Sequence, residues 1–163
     1  MLQYFPQELL INIGKLLLSM FLGLFVGYER EAWKKPAGIR DVGIVTLGAT
    51  IFTIISFEMS KTIFAMQPPV RYDIGRIIAY VIASIGFLGS GVILQQKDKL
   101  EGITTASILW AMVGVGILCG MGSYSLAIIS CLGLYFLLKL KYLKVKIQIR
   151  GKHGKKKSSR SKN

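Results

Sequence analysis

The stretch RYDIGRIIAYVIASIGFLGSGVIL, from Arg71 to Leu94, decides the fold predicted for this chain. It places Asp73 and Arg76 at one end of an apolar segment and the glycine-dense sequence GFLGSG at the other. The segment from Ile74 to Leu94 has 21 residues, which is long enough to cross a bilayer as a helix. Charges beside a membrane span are costly, and glycines let other helices approach closely. The stretch therefore predicts a transmembrane helix with a packing or functional role.

Composition extends this interpretation to most of the chain. Of the 163 residues, 52% are hydrophobic and the mean hydropathy is +0.52, although the net charge is +13. These values are compatible because the charge is segregated: eleven of the 21 Lys and Arg residues lie between Lys139 and Lys162. We therefore expect a membrane domain over residues 1–140 and a basic, disordered cytoplasmic tail over residues 141–163.

Five apolar segments in all predict an all-α, polytopic membrane protein with five transmembrane helices. The first segment lacks the cleavage pattern of a signal peptide, so we interpret it as a retained helix. The second is short for a crossing unless it continues toward Phe64. The predicted spans run from Glu8 to Tyr28, Val42 to Phe57, Ile74 to Leu94, Ile103 to Cys119 and Ser125 to Leu138, with polar connectors from Tyr28 to Asp41 and from Gln95 to Gly102.

Basic residues predict the orientation of these spans. Five spans place the two termini on opposite sides of the membrane, and loops rich in Lys and Arg stay in the cytoplasm. The exits of the first, third and fifth spans are basic, whereas the other loops carry only Lys61 and Arg71. We therefore predict an N-terminus outside and a C-terminus in the cytoplasm.

Side chains that could support catalysis are scarce in the apolar part of the sequence. Cys119 and Cys131 lie in apolar segments, where a thiol behaves as a small hydrophobe. The single histidine, His153, lies in the tail, so no Ser-His-Asp or Cys-His arrangement can be assembled. We predict that the chain is not an enzyme and has no cofactor. Glu58 and Asp73 are the carboxylates that could contact magnesium, but they do not define a metal site.

Asp73 and Arg76 are three residues apart and share one helix face, and Glu58 at the end of the second span could join them. One interpretation is an intramembrane polar core that holds the second and third spans together or faces an ion or a partner. In the other, Asp73 caps the helix and Arg76 extends to the interface. The sequence leaves both open.

Glycines predict where helices pack. Gly23 and Gly27 follow Lys15 and Ser19 at four-residue spacing and share one face of the first span. The GFLGSG sequence lacks the Lys-Ser/Thr ending of a phosphate loop, so it indicates either a close helix crossing or local unwinding beside a cavity. Close packing is the commoner cause, and the glycines that we assign to it are Gly23, Gly27, Gly86, Gly89 and Gly91.

Several ordered motifs resemble the MgtC/SapB family of bacterial inner-membrane proteins. They are GLFVGYERE (Gly23 to Glu31), PAGIR (Pro36 to Arg40), TLGATIFTIIS (Thr46 to Ser56), D-x-x-R (Asp73 and Arg76), GFLGSGVI (Gly86 to Ile93) and GITTASILW (Gly102 to Trp110). The chain departs from the usual pattern at Asp41, Tyr80 and Ser84, where the family usually has Thr, Gln and Gly. Many members carry an ACT-like domain after the fifth helix, so this chain is more similar to short SapB-type members.

The resemblance implies a multi-pass protein of the bacterial cytoplasmic membrane without an established reaction. Family members are linked to growth under magnesium limitation, to virulence and to regulation of membrane partners. We therefore expect a non-enzymatic regulator of a membrane partner in stress adaptation; the alternative is a small transporter or channel for magnesium or another cation. The motifs select a cytoplasmic set of residues: Glu29, Arg30, Arg40, Thr104, Thr105 and Trp110.

A purely structural interpretation of this set is also open. Mixed charges at a membrane face usually form a solvated loop, Thr104 could cap the fourth helix, and Trp110 could pack within the bundle. Besides the lipid bilayer, we expect a second copy of the chain as a partner, and a membrane protein as a further one. The basic tail favours anionic lipid over nucleic acid, because it directly follows a span and holds Tyr142 as its only aromatic residue.

Overall fold

The helices that the sequence predicts are present in the structure, a computed structural model that describes residues 5–65, 73–96 and 99–140. In these ranges four helices are each long and apolar enough to cross a membrane, and a fifth is a shorter apolar helix. The part of the chain described is therefore helical, with four long candidate spans. The helices are α1 (Phe5–Ala32), α2 (Ile39–Ala65), α3 (Ile74–Val92), α4 (Ile103–Gly120) and α5 (Tyr124–Leu140).

The connection between α1 and α2 is shorter than the sequence predicted. Helix α1 continues past Tyr28 to Ala32, because Glu, Arg and Ala are good helix formers, and the chain then turns at Lys34, whose φ is 51°. Helix α2 already begins at Ile39. The predicted loop from Tyr28 to Asp41 is thus wrong at both ends, and its first acidic and basic residues lie on a helix.

The later elements follow the predicted order with small changes. Helix α2 continues beyond Phe57, which confirms the longer form of the second span. The predicted polar connector after α3 contains a short antiparallel hairpin, in which β1 (Leu94–Gln96) pairs with β2 (Lys99–Glu101). Gly102 then starts α4 with a φ of 93°, a left-handed conformation that favours glycine.

The centre of the packing lies on α2 and α4, although the sequence placed it on α3. Ten residues of α4 are buried, against only Ile85 and Gly89 in α3. Ile85 joins Ala49 of α2 and Val113 and Ile117 of α4 in one apolar cluster. Helix α3 therefore contributes one face to the core and leaves most of its surface to its surroundings.

Two glycines of α1 allow a close crossing with α2. A Cβ added at Gly23 would lie 2.9 Å from the Cα of Gly43, and one added at Gly27 would lie 2.7 Å from the Cα of Ile39. Real Cβ atoms do not approach backbone this closely. The two helices therefore approach each other through their backbones, as small residues at helix interfaces permit.

The glycines of α3 and α4 differ in their surroundings. In GFLGSG, a Cβ at Gly89 would meet Ala106 at an ordinary 3.6 Å, and Cβ atoms at Gly86 and Gly91 would meet nothing within 4 Å. On α4, by contrast, Gly116 and Gly120 lie against α2 with no room for a Cβ. In the described chain the close crossing is thus made by α4 and not by the GFLGSG sequence.

A row of hydroxyl side chains, which the sequence analysis did not single out, faces the interior from α2. Most of these hydroxyls donate to a carbonyl, as polar groups buried in a membrane bundle must. The Thr50 hydroxyl lies 2.8 Å from the carbonyl oxygen of Gly116 and so connects α2 to α4. The row consists of Thr46, Thr50, Thr53, Ser56 and Ser60, all buried.

The chain divides into two compact units, one ending at Cys131 and the other starting at Leu132. The first holds α1 to α4, the hairpin and the start of α5, where the Cys131 thiol lies 3.8 Å from the carbonyl oxygen of Leu22. In the second, the Lys139 ammonium lies 5.3 Å from the centroid of the Tyr135 ring. The basic tail predicted over residues 141–163 lies outside the described residues.

Candidate functional site

The last turns of α1 place two charged side chains inside the bundle. Glu29 and Arg30 are only 4% and 2% exposed. The Arg30 Nη2 donates a hydrogen bond to Oγ1 of Thr105, a residue in the first turn of α4 that is 2% exposed. Hydrogen bonds from a charged donor are stronger than neutral ones. This contact therefore fixes the end of α1 against the start of α4, although 75 residues separate them in sequence.

The motif set divides into two groups of three. A solvated position fits Arg40, but not Glu29 and Arg30, because α1 continues past them as a helix. The other two alternatives are wrong: α4 is capped at Gly102 without a side-chain hydrogen bond, so Thr104 does not cap it, and Trp110 is exposed on α4 instead of packed within the bundle. Thr104 and Thr105 illustrate the division, since they are neighbours in sequence and only the second is buried. The buried group is Glu29, Arg30 and Thr105, and the exposed group is Arg40, Thr104 and Trp110.

The turn between α1 and α2 is held by two carboxylates that the sequence analysis did not assign. The Glu31 Oε2 accepts a hydrogen bond of 3.0 Å from the backbone N–H of Ile39. The Asp41 Oδ2 accepts one of 3.0 Å from the backbone N–H of Gly38. The position of Asp41 in the first turn of α2 could have predicted this role, since carboxylates there accept hydrogen bonds from free backbone N–H groups.

The Glu29 carboxylate has no hydrogen bond to any residue that the structure describes. Both of its oxygens are buried, and neither has a donor among those residues. Within the described ranges, no group of three or more His, Cys, Asp and Glu side chains is close enough to hold a metal ion. Glu29 is thus a buried acceptor outside any multi-residue acidic cluster that the structure describes.

The polar residues at the opposite ends of α1 and α2 form a separate, exposed cluster. The Lys61 Nζ lies 3.1 Å from Oε1 of Glu8 and 3.1 Å from Oε1 of Glu58. Glu58 therefore pairs with Lys61 on its own helix and with no residue of α3 that the structure describes. The ion pairs are exposed, so salt and water weaken them.

At the start of α3, Asp73 caps the helix. Its Oδ1 accepts a hydrogen bond of 2.9 Å from the backbone N–H of Gly75, while Arg76 is exposed. The described contact between α2 and α3 at this end is the Ser56 hydroxyl, which donates to the carbonyl oxygen of Ile74 at 3.0 Å. A joint role of Glu58, Asp73 and Arg76 in a polar core stays a prediction.

Comparisons with known proteins match most of the chain to one family. The profile of the MgtC family matches residues 16–145. Over 127 residues the chain is 40% identical to an uncharacterized protein of Haemophilus influenzae, covering 77% of this chain and 53% of that protein. It is 37% identical over 116 residues to the protein MgtC of Salmonella typhimurium strain 14028s, covering 71% of this chain and 46% of that one.

A more distant relative is the protein SapB of Bacillus subtilis, 29% identical over 141 residues, with 86% of this chain and 58% of SapB covered. The chain thus spans about half the length of the curated relatives it matches. The comparison with solved structures found no significant match.

Proposed function

This chain belongs to the MgtC family, and we propose that it is a non-enzymatic, multi-pass protein of the bacterial cytoplasmic membrane that regulates a membrane-protein partner. The setting that we propose is adaptation to stress, above all to magnesium limitation or to growth within a host. The family match, the relatives named MgtC and SapB and the four long apolar helices support this proposal.

The observation that carries the proposal is the exposed face of α3. Only two residues of this helix are buried, and Phe87 is 82% exposed. Small side chains recur on the exposed face every three or four residues, and such residues let a neighbouring membrane helix approach. We propose that a partner helix packs on this face. The small residues are Gly75, Ala79, Ala83, Gly86 and Ser90.

Enlarging this face is expected to block the partner without disturbing the fold. A Cβ at Gly86 meets nothing within 4 Å, so Gly86→Leu fits the isolated chain but projects into the space that a partner would use. We expect this variant to reach the membrane at wild-type level and to lose complementation of a deletion strain under magnesium limitation. Gly114→Leu on α4 is the matched control, because its Cβ position is also open. Normal growth with Gly86→Leu would rule out this docking face.

The competing hypothesis of a cation transporter predicts a different result. Purified protein in liposomes would then carry a magnesium-dependent flux, and on that hypothesis Asp73→Asn would abolish the flux. A regulator shows no flux with either chain and retains its partner after cross-linking in the membrane. Flux that depends on Asp73 would therefore contradict the regulator.

We further propose that the turn between α1 and α2 faces the cytoplasm and the turn between α4 and α5 faces outward. Lys34 and Lys35 in the first turn, against no basic residue in the GMGSY turn, support this orientation. With both native cysteines replaced by Ala, a membrane-impermeant maleimide is expected to label Met121→Cys in intact spheroplasts and Lys34→Cys only after lysis. The reverse pattern would invert the topology.

A further inference from the structure

None of the contacts described above gives the buried Glu29 carboxylate a role. It lies on the face of α1 that also carries Leu22 and Val26, seven and three residues earlier, and both of these side chains are buried. Each carboxylate oxygen has less than 1 Å² of accessible surface and no hydrogen-bond donor. An ionised carboxylate that has lost its water without gaining a partner is strongly destabilised.

The two charged residues that follow Glu29 in α1 are directed to other partners. Arg30 is the next residue, but about 100° around the helix, and its Nη2 is directed to Thr105. Glu31 is directed to the backbone of Ile39. Glu29 also lies in the last turn of α1, where the helix dipole is negative and adds to the need for positive charge.

We propose that Glu29 binds a small, hard cation inside the bundle, at the end of α1. A carboxylate oxygen is a ligand for Mg²⁺ or Na⁺, whereas metals that prefer nitrogen or sulfur would find too few ligands among the described residues. A metal would complete its shell with backbone carbonyls or water. This site does not depend on the proposed regulatory function, since binding is measured on the purified chain without any partner.

Tryptophan fluorescence offers a direct measurement. The chain has two tryptophans, and Trp33 lies one helical turn after Glu29. In a Trp110→Phe background the emission therefore reports on the end of α1. We would titrate the purified full-length chain in detergent with MgCl₂ and, separately, with NaCl, and record both emission and thermal unfolding. Choline chloride controls for ionic strength.

One of these salts is expected to give a saturable change in emission and a rise in the unfolding temperature, because a ligand that binds the folded state stabilises it. Glu29→Gln, which keeps the shape and removes the charge, is expected to weaken the response at least about tenfold. The salt that produces this response identifies the cation.

Glu101→Gln is the control, because it removes an exposed carboxylate of β2 and leaves the hydrogen bond from Ile39 to Glu31 intact, and it is expected to respond like the wild type. If Glu29→Gln does not yield folded protein, Glu29→Asp keeps the charge but shortens the side chain, and is expected to bind more weakly. Identical titrations of the wild type and the Glu29 variant with both salts would overturn the proposal. Such a result would mean that the chain itself compensates the Glu29 charge.

Discussion

Replacing Gly116 with alanine is expected to destabilise the bundle by about 1–3 kcal/mol, the usual cost of forcing a methyl group into a closely packed core. The added Cβ would lie 2.8 Å from the Cβ of Ala49 and would overlap the carbonyl oxygen of Thr46. Because the Thr46 oxygen belongs to the backbone, α2 itself would have to move. That movement would also disturb the hydrogen bond from the Thr50 hydroxyl to the Gly116 carbonyl.

Gly114→Ala is the matched control for this prediction. It lies two residues away on α4, and a Cβ there meets nothing within 4 Å. Alanine is favoured over glycine within a helix by about 1 kcal/mol, so this variant is expected to be neutral or stabilising. The measurement is unfolding of the purified protein by SDS in mixed micelles, followed by circular dichroism. Equal stabilities of the two variants would contradict the close packing of α2 and α4.

The contrast between Gly114 and Gly116 also shows how far the sequence predicts this fold. Apolar length and helix-breaking residues predicted five helices, because these features act locally. Which glycine meets a neighbouring helix depends on the crossing of α4 with α2, which no local pattern encodes. For the same reason the sequence singled out Gly86 and Gly91, which are small but have no close neighbour in the described chain.

The prediction of the candidate site depended in the same way on where α1 ends. The motifs selected Glu29, Arg30 and Thr105, which are all buried in the structure, but ending the span at Tyr28 placed the first two in a solvated loop. One more helical turn carries them inside. A helix end is difficult to place when charged residues that favour helices follow an apolar run, because composition suggests a loop while propensity continues the helix.

Removing the hydrogen bond between Arg30 and Thr105 is expected to cause the second large loss of stability. Thr105→Val keeps the shape of the side chain but removes the acceptor for the Arg30 guanidinium. Hydrogen bonds to charged groups contribute about 1.5–3 kcal/mol when they are buried, and we expect a loss of this size. The contact joins the ends of α1 and α4, so the variant is also expected to loosen the turn that follows α1, which protease accessibility near Lys34 would report.

Thr104→Val tests whether the effect belongs to this hydrogen bond. Thr104 is the preceding residue on α4 and is exposed, so the same chemical change there is expected to alter stability by no more than about 0.5 kcal/mol. A double-mutant cycle with Arg30→Gln isolates the pair, because two residues in direct contact give a coupling energy that independent sites do not. If Thr105→Val and Thr104→Val unfold alike and the cycle shows no coupling, Arg30 does not hold α1 to α4. The presence of Thr105 in a family motif would then need an explanation other than this buried hydrogen bond.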